Sequence, residues 1–546
     1  MAQKVVIIGA VAAGMSAATR LRRLDEDADI VVLEAGEHVS FANCGLPYYA
    51  GGVIEKRQAL LLQTPQSLHE RFNLDVRIHS RATAIDPTSR TVTVESTDRG
   101  SYTLPYDNLV LAPGARPIVP PIPGAERALT LRDVADVDRI VESMAGARSA
   151  TVIGAGFVGL EIAENLAHRG LEVTVVELAD QVLSAIDPEL AIRIEQRLVA
   201  NGVRVLTGAQ ASAITADAVV ATAADGSHEV PADIVIAAIG VRPDSSLAAD
   251  AGLAVNARGG ITVDDDLRTS DPHIFAVGDA AAKSDHFSDE PTLIPLANLA
   301  NRHGRRVADV ITGRDSRATA SIGTAVVGVF GLTAAVTGRT ERRLRAEGRP
   351  YRAIHTHPMN HAGYYPGASA LAMKLLVDPE TDLILGAQAV GENGADKRID
   401  VIATAIRGGL RASELADLEL AYAPAYGSAK DPVNMLGYVA ENAAMGESPS
   451  IQWDQIAQDD VVLDVRTAAE HERGYVTAGA STAHISVDDL RARHGELPKD
   501  ARIVVHCQVG QRGHTATRLL RQLGYDAVNL DGGYLTWRDG MAATQR

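Results

Sequence analysis

Two glycine-rich turns, each placed between an apolar strand and a helix and each answered by an acid at the end of the next strand, constrain this chain more than any other feature. The second is Gly154-Ala155-Gly156-Phe157-Val158-Gly159. It follows an apolar run over 150–153, precedes a helix expected to reach about Arg169, and is followed by a strand over 172–176 that ends in Glu177, 18 positions past Gly159. Glycines at this spacing let backbone approach a pyrophosphate at a helix N-terminus, and the acid accepts a ribose 2′-hydroxyl while repelling a 2′-phosphate. Residues 178–183 contain no Arg or Lys, so NADH is favoured over NADPH. The first turn, Gly9-Ala10-Val11-Ala12-Ala13-Gly14, has Val11 in the middle glycine's place; strands are expected over 5–8 and 30–33, with a helix over 16–24 between them. Glu34 stands 20 positions past Gly14. One dinucleotide unit interrupted by another is the organisation of two-dinucleotide flavoenzymes.

Further short apolar strands close on small residues. The run 109–112 leads into Pro113-Gly114, 234–238 into Ile239-Gly240, and 274–277 into Gly278-Asp279. Open α/β sheets bind ligands at such carboxyl ends. From about 317 the pattern changes to longer strands mixed with helices, as in an α+β module. Residues 442–450 are small and polar and read as a linker. A separate α/β domain follows, with strands over 461–465 and 503–506 and a closing Gly532-Gly533. Aromatic residues are only 4%, and the dominance of Ala, Gly and Val suits helices lying close on sheets.

The net charge of −17 gives no footprint for nucleic acid or an anionic membrane. Residues 318–338 carry no charge for 21 positions, a length that alone suggests a membrane span. Four Gly and four Thr among them favour short buried strands with turns. The N-terminus leads into a strand with no signal-peptide pattern, which points to the cytoplasm and reduced thiols.

There are two cysteines, Cys44 and Cys507, 463 positions apart. That excludes a disulfide framework, a CxxC dithiol and a zinc-finger ligand set. His484, His506 and His514 have no metal-ligand spacing, and no metal is expected.

Around Cys44 the sequence is Ser40-Phe-Ala-Asn43-Cys44-Gly-Leu-Pro-Tyr-Tyr49. This motif, with residues 361–368 (HAGYYPGA), 394–400 (GADKRID) and 422–434 (YAPAYGSAKDPVN), resembles the single-cysteine pyridine nucleotide–disulfide oxidoreductases. Within them the chain is similar to coenzyme A disulfide reductases fused to a rhodanese domain, the group also described as NADH-dependent persulfide or polysulfide reductases. Two-cysteine disulfide reductases carry a second Cys five positions on; here position 49 is Tyr, so Cys44 must hold its oxidised state as a mixed disulfide, a persulfide or a sulfenic acid. A helix starting near Gly45, with Pro47 in its first turn, is expected to lower the thiol pKa further beside an oxidised flavin.

The resemblance implies FAD held by Gly9, Ala10, Gly14, Glu34, Gly114 and Asp279, and NADH held by Gly154, Gly156, Gly159 and Glu177. It implies that electrons pass from NADH through FAD to a mixed disulfide on Cys44. Tyr364 and Tyr422 match the family's acids for the leaving thiolate, and supplying them from a partner would make a homodimer obligatory. Coenzyme A requires local cations on an acidic protein. The first helix offers Arg20, Arg22 and Arg23; the family's substrate positions match Ser16, Arg20, Arg23, Ser40, Asn43, Asn301 and Lys430.

The C-terminal segment resembles a single rhodanese domain, with Leu463-Asp464-Val465-Arg466, then His506-Cys507-Gln-Val-Gly-Gln-Arg512, then Asp531-Gly-Gly-Tyr534 and Trp537. A loop between strand and helix forms an anion nest for a thiolate or persulfide, and Arg512 adds a cation. Phosphatases place that Arg six positions after Cys; here it is five, which suits sulfur. Asp464 and Arg466 read as a structural pair, and Gly513 stands where rhodaneses commonly have Ser or Thr.

The expected fold is α/β: an FAD-binding domain over 1–115 plus 245–316, an NAD-binding domain over 116–244, both Rossmann-like, an α+β dimerisation domain over 317–441, a linker over 442–452 and a rhodanese-like α/β domain over 453–546. Two other functions are open to such a chain: an NADH oxidase or peroxidase cycling Cys44 through sulfenic acid, and a non-catalytic sulfur carrier or redox sensor. Relatives of the oxidase type carry a His in the first glycine loop, and this loop has none.

Overall fold

The computed structural model describes residues 2–544, which fall into two compact units. The first unit comprises Met1–Leu178 with Ala209–Ile322, and the second Ala179–Gly208 with Gly323–Arg546.

In the first unit the strand Lys4–Ile8 pairs in parallel with Asp29–Leu33 on one side and Asn108–Leu111 on the other. Ile274–Ala276 and Asp75–Arg77 close this five-stranded sheet. Four of Lys4–Ile8's five residues are buried because helices and strands cover both faces, the reason its sequence is a continuous apolar run. Ser149–Ile153 pairs likewise, in parallel, with Glu172–Val176 and Ile234–Ala237. Two three-stranded antiparallel sheets flank these layers, Ser80–Asp86 with Thr91–Ser96 and Gly100–Pro105, and Gln210–Ile214 with Ala218–Ala223 and Gly226–Pro231.

The helices Ala12–Leu24 and Ala297–Ile311 cross closely. A Cβ on Gly304 would lie 2.1 Å from the Ala13 carbonyl oxygen, so only glycine permits this approach.

The second unit holds a five-stranded antiparallel sheet in the order Ala325–Val329, Leu332–Gly338, Ile384–Gly391, Leu371–Val377, Arg352–Thr356. Every residue of Leu371–Val377 and Ile384–Gly391 is buried. The helix Ala395–Gly408 packs on this sheet, and so does Pro188–Ala200. The uncharged stretch 318–338 therefore supplies two strands, and among the described residues no helix is long and apolar enough to cross a membrane. The C-terminal domain is a parallel sheet ordered Ser450–Ile451, Ala527–Leu530, Ile503–His506, Val461–Asp464, Ser481–His484.

The α/β and α+β architecture is as expected, with two differences. The helix Pro188–Ala200, which the glycine-turn pattern assigns to the NAD-binding domain, belongs to the second unit, where its apolar side packs on the sheet and on the C-terminal helix Gly533–Thr544. The linker is also shorter than 442–452. The helix Pro432–Ala444 runs into it, and Ser450–Ile451 already pairs with Ala527–Leu530.

Replacing Gly304 by Val should lower unfolding free energy by about 1–3 kcal/mol, the usual cost of overpacking. A denaturant titration of the first unit's melting checks this; an unchanged midpoint would contradict the close helix crossing.

Candidate functional site

The two glycine turns are built alike. Gly9 and Gly154 follow their strands with φ of 101° and 105°, and a Cβ there would strike the carbonyls of Ala112 (2.1 Å) and Ala238 (2.5 Å). Gly14 and Gly159 have no room because a Cβ would meet the carbonyls of Gly9 (1.8 Å) and Gly154 (2.1 Å), holding helix against strand. Gly156 differs: a Cβ there would meet nothing within 4 Å, so this face of the helix start is open to a ligand. Val11 caps the first helix at φ −112°, a conformation that does not call for glycine, which accounts for the departure in that turn.

The acids at the strand ends hold the turns in the same way. Glu34 accepts hydrogen bonds from the amides of Ala10 (3.0 Å) and Gly36 (2.8 Å), and Glu177 accepts from Ala155 (2.6 Å). Gly114 (φ 75°) and Asp279 lie at the carboxyl ends of the neighbouring strands in the first sheet. These positions fit an FAD pyrophosphate and ribitol on the first turn and an NAD pyrophosphate on the second.

Sequence reasoning missed a polar group beside Asp279. Burial pushes the Asp279 carboxyl up, against the opposing charges of Lys283 and Arg132. Lys283 is buried, donates to the carbonyls of Ala281 (3.0 Å) and Ile294 (3.4 Å), and is pushed down to about 8 by burial. Buried His303 is pushed down to about 4 by burial and then by Lys283 and Arg302, so it is neutral at physiological pH.

Cys44 sits in the 3₁₀ turn Asn43–Gly45, followed by the helix Leu46–Gly51 with Pro47 in its first turn. That helix packs on Phe157–His168, the helix opened by the second glycine turn. Arg169 donates to the Ala50 carbonyl (2.9 Å), and Asn165 fills the space a Cβ on Gly51 would need. Residue 44 is exposed, yet its sulfur is crowded enough that burial is the first cause of a raised thiol pKa. The charges of Glu161 and Asp279 raise it further, and a backbone hydrogen bond acts the other way. The expected lowering by the helix is thus overridden: the helix has six residues, while two carboxylates face the sulfur.

Glu161, also missed, lies two positions past Gly159 on the helix face towards Cys44. It accepts from the Tyr48 hydroxyl (3.2 Å); burial raises its own pKa and, with its charge, pushes Tyr48 up to about 12. An acid so close behind a GxGxxG turn was the available signal.

The substrate candidates separate. Ser16 donates to the Asn301 carbonyl (2.8 Å), which brings these two residues together at the helix crossing. Arg20 is paired with Asp309 (2.8 Å). Arg22 is buried and donates to the carbonyls of Phe72, Asp25, Glu26 and Asn73, so it is a structural tie and not a cation for a ligand. Arg23, Asn43, Asn301 and Lys430 are exposed, and Ser40 is half-buried with φ 47°.

In the second unit Tyr364 and Tyr422 lie hydroxyl to hydroxyl at 3.1 Å, and that hydrogen bond raises the Tyr422 pKa. Both face solvent, at 78% and 49% exposure. Tyr365 instead stands edge-on to His361, and Tyr426 is exposed.

Cys507 is fully buried at the end of Ile503–His506, and Gly510 (φ 91°) opens the helix Gln511–Gln522. Arg512 lies beside the Cys507 sulfur but is also held by Glu470 (2.6 and 2.8 Å), which it pushes down to about 2. Glu470, three positions after the N-cap Thr467, closes its capping box, a readable signal. The reading of Asp464 and Arg466 as structural agrees with their buried pairing at 2.7 Å. At Gly513 a Cβ would come within 2.3 Å of Asn529 Oδ1, so the Asn529 amide occupies the space that a Ser or Thr side chain would need.

Residues 3–304 match the pyridine nucleotide-disulphide oxidoreductase family, 324–432 its dimerisation domain and 448–539 the rhodanese-like domain. A coenzyme A disulfide reductase of Staphylococcus aureus is 34% identical over 442 residues, 80% of this chain and 100% of that protein. The crystal structure of reduced Bacillus anthracis CoADR-RHD superposes with a TM-score of 0.96 at 44% identity, covering 99% of each chain. An NAD-dependent persulfide reductase from A. fulgidus superposes with a TM-score of 0.92 at 39% identity, covering 98% of this chain and 100% of that one.

Replacing Glu161 by Gln removes a charge that raises the Cys44 pKa. The thiol should then alkylate about 3- to 10-fold faster at pH 7, and its rate–pH curve should move to lower pH. Iodoacetamide labelling of the peptide containing Cys44 reads this; an unmoved curve would place Glu161 outside the sulfur's field.

Proposed function

We propose, from the premise that this chain belongs to the pyridine nucleotide-disulphide oxidoreductases, that it is an NADH-dependent flavoenzyme reducing coenzyme A disulfide and coenzyme A persulfide or polysulfide through Cys44. The observation that carries the reading is one thiol, with Tyr at position 49 and no second cysteine in its unit, set where the Leu46–Gly51 helix meets the helix of the second glycine turn. A thiol so placed has only a substrate sulfur as its disulfide partner.

FAD, when bound, supplies the route by which the two electrons of NADH reach sulfur. Gly9, Ala10, Gly14, Glu34, Gly114 and Asp279 hold it, and Gly154, Gly156, Gly159 and Glu177 hold NADH. The Cys44 thiolate attacks the inner sulfur of a coenzyme A persulfide, forming Cys44–S–S–CoA and releasing hydrosulfide. With coenzyme A disulfide the same attack releases coenzyme A thiolate. Two electrons and two protons then return Cys44 and coenzyme A as thiols. Because burial, and then Glu161 and Asp279, disfavour the Cys44 thiolate, FAD when bound would have to supply the electrostatic stabilisation that favours it.

The leaving thiolate needs a proton. The Tyr364–Tyr422 pair, solvent-facing and sharing one hydrogen bond, is suited to give it from a second copy of the chain, making the active form a homodimer. Ser16, Arg20, Arg23, Ser40, Asn43, Asn301 and Lys430 are the coenzyme A-binding residues in this reading, with exposed Arg23 and Lys430 as the cations for its phosphates. In the rhodanese-like domain Cys507 carries sulfane sulfur beside Arg512. The cytoplasm, which keeps both thiols reduced, is the compartment this requires.

Cys44→Ser should lose NADH-driven reduction of coenzyme A disulfide by about 10³-fold or more while retaining FAD absorbance. Tyr364→Phe and Tyr422→Phe should each cost about 10²-fold in kcat. Turnover surviving in Cys44→Ser, or rapid peroxide reduction by NADH in the wild type with none of coenzyme A disulfide, would overturn the reading in favour of the oxidase or peroxidase class.

A further inference from the structure

The second unit buries an ionic chain that the proposed chemistry does not use. Its base is a row of polar residues across strands that are otherwise apolar. His355 pairs in register with Lys374, and Lys374 with Gln388. The three residues are 4%, 1% and 0% exposed. They meet the start of the helix Pro188–Ala200. Lys374 Nζ contacts Glu189 (2.6 Å), Glu341 (2.7 Å) and Asp187 (2.9 Å), and Gln388 donates to Asp187 (2.7 Å).

His355 extends this chain into the rhodanese-like domain. Its Nε2 lies 3.0 Å from Glu189 Oε1 and its Nδ1 2.6 Å from Asp531 Oδ2, and its backbone amide donates to the same Asp531 oxygen (2.9 Å). Ionised carboxylates only accept, so both ring contacts are hydrogen bonds only when the imidazole carries two protons. Gln452 also donates to Asp531 (3.3 Å).

Asp531 begins the turn on which the Cys507 loop is built. A Cβ on Gly532 would lie 2.7 Å from His355 Cβ, and one on Gly533 2.5 Å from the Cys507 carbonyl oxygen. The turn is therefore held between His355 and the sulfur loop, with no space for a side chain on either glycine. The next two amides complete the connection: Tyr534 donates to the Cys507 carbonyl (2.8 Å) and Leu535 to that of Gln508 (3.1 Å).

We propose that His355 is a positioning residue for Cys507, its imidazolium fixing the Asp531–Gly533 turn to the antiparallel sheet and thereby holding the sulfur loop in place; the proposal rests on Cys507 being the sulfur-carrying thiol. The rhodanese-like domain is then anchored to that sheet during sulfur loading and does not swing from its linker.

The pH dependence follows from every group around the ring. Burial opposes the charge on His355, but the hydrogen bonds to Asp531 and Glu189 prevail and hold its pKa at about 9, against the repulsion of Lys374. Neighbouring His357 is driven well below its ordinary value by burial and by Arg193, His355 and Arg538, so it stays neutral, with its Nε2 2.7 Å from Thr536 Oγ1. Asp539 pairs with Arg193 and Arg538, and Glu341 also bonds Arg345 and Tyr351. The His355 pKa is raised from 6.5 to about 9, so its stabilisation is complete below 6.5 and is lost as pH rises through about 9.

The test uses full-length, FAD-loaded protein with inorganic polysulfide as probe, and reads Cys507 persulfide by mass analysis of quenched samples. NADH-driven reduction of coenzyme A disulfide, which does not use Cys507, serves as the control. His355→Gln and Asp531→Asn should each slow persulfide formation about 10-fold at pH 7.5 with the control within about twofold, and the double variant should be no slower than either. Wild-type amide exchange over residues 507–535, corrected for its intrinsic base dependence, should increase as pH passes about 9, and His355→Gln should lack that step. Wild-type rates in both variants, or wild-type exchange without the step, would overturn the proposal. If a variant does not fold, the wild-type exchange profile decides by itself. If wild-type Cys507 takes no persulfide, the sulfur-carrier reading falls and the positioning role with it, whereas loss of the control reaction alone would count against the Cys44 reading.

Discussion

The packing of the short helix Leu46–Gly51 on Phe157–His168 is the contact on which the chemistry at Cys44 depends. It brings Cys44 to the helix opened by the second glycine turn, while the parallel sheet of Lys4–Ile8 delivers Asp279. Glu161 belongs to the helix that receives Leu46–Gly51, so the packing that locates the sulfur also puts a carboxylate in its field. A thiol held in this way is a poor nucleophile by the protein's own electrostatics. In the proposed reading a bound oxidised flavin would be needed to offset this and favour the thiolate.

The second unit treats its sulfur differently. Cys507 is buried, its cation is shared with Glu470, and the loop around it is held from behind by a turn without side chains. Breaking one partner of a buried ion pair leaves the other uncompensated, so a chain such as Lys374–Glu189–His355–Asp531 acts as one device. The Cys507 loop is thereby built on a sheet of the neighbouring domain.

Much of this was legible in the residues. The glycine spacing with Glu34 and Glu177 foretold both strand–turn–helix units, since each residue there answers a local backbone demand. Val11 departs from the glycine pattern, and its φ of −112° is not in the left-handed region that favours glycine. What the sequence hid was partnership across long separations. Arg20, Arg22 and Arg23 look equivalent on one helix, yet Asp309 and four carbonyls engage the first two. Pro188–Ala200 follows an NAD-type unit in sequence, but its apolar face is matched by the sheet and C-terminal helix of the second unit. Lys374 within the apolar run 371–377 was a visible anomaly; its meaning required Glu189, 185 positions away.

The central claim is that the oxidised partner of Cys44 is coenzyme A. Mass analysis of the purified protein, denatured without reductant and digested, tests this most directly. The account predicts a Cys44 peptide heavier by one disulfide-linked coenzyme A and restored to the free thiol by reductant. A Cys44 peptide bearing only sulfenic or sulfinic oxygen, with no coenzyme A adduct after incubation with coenzyme A disulfide, would contradict it.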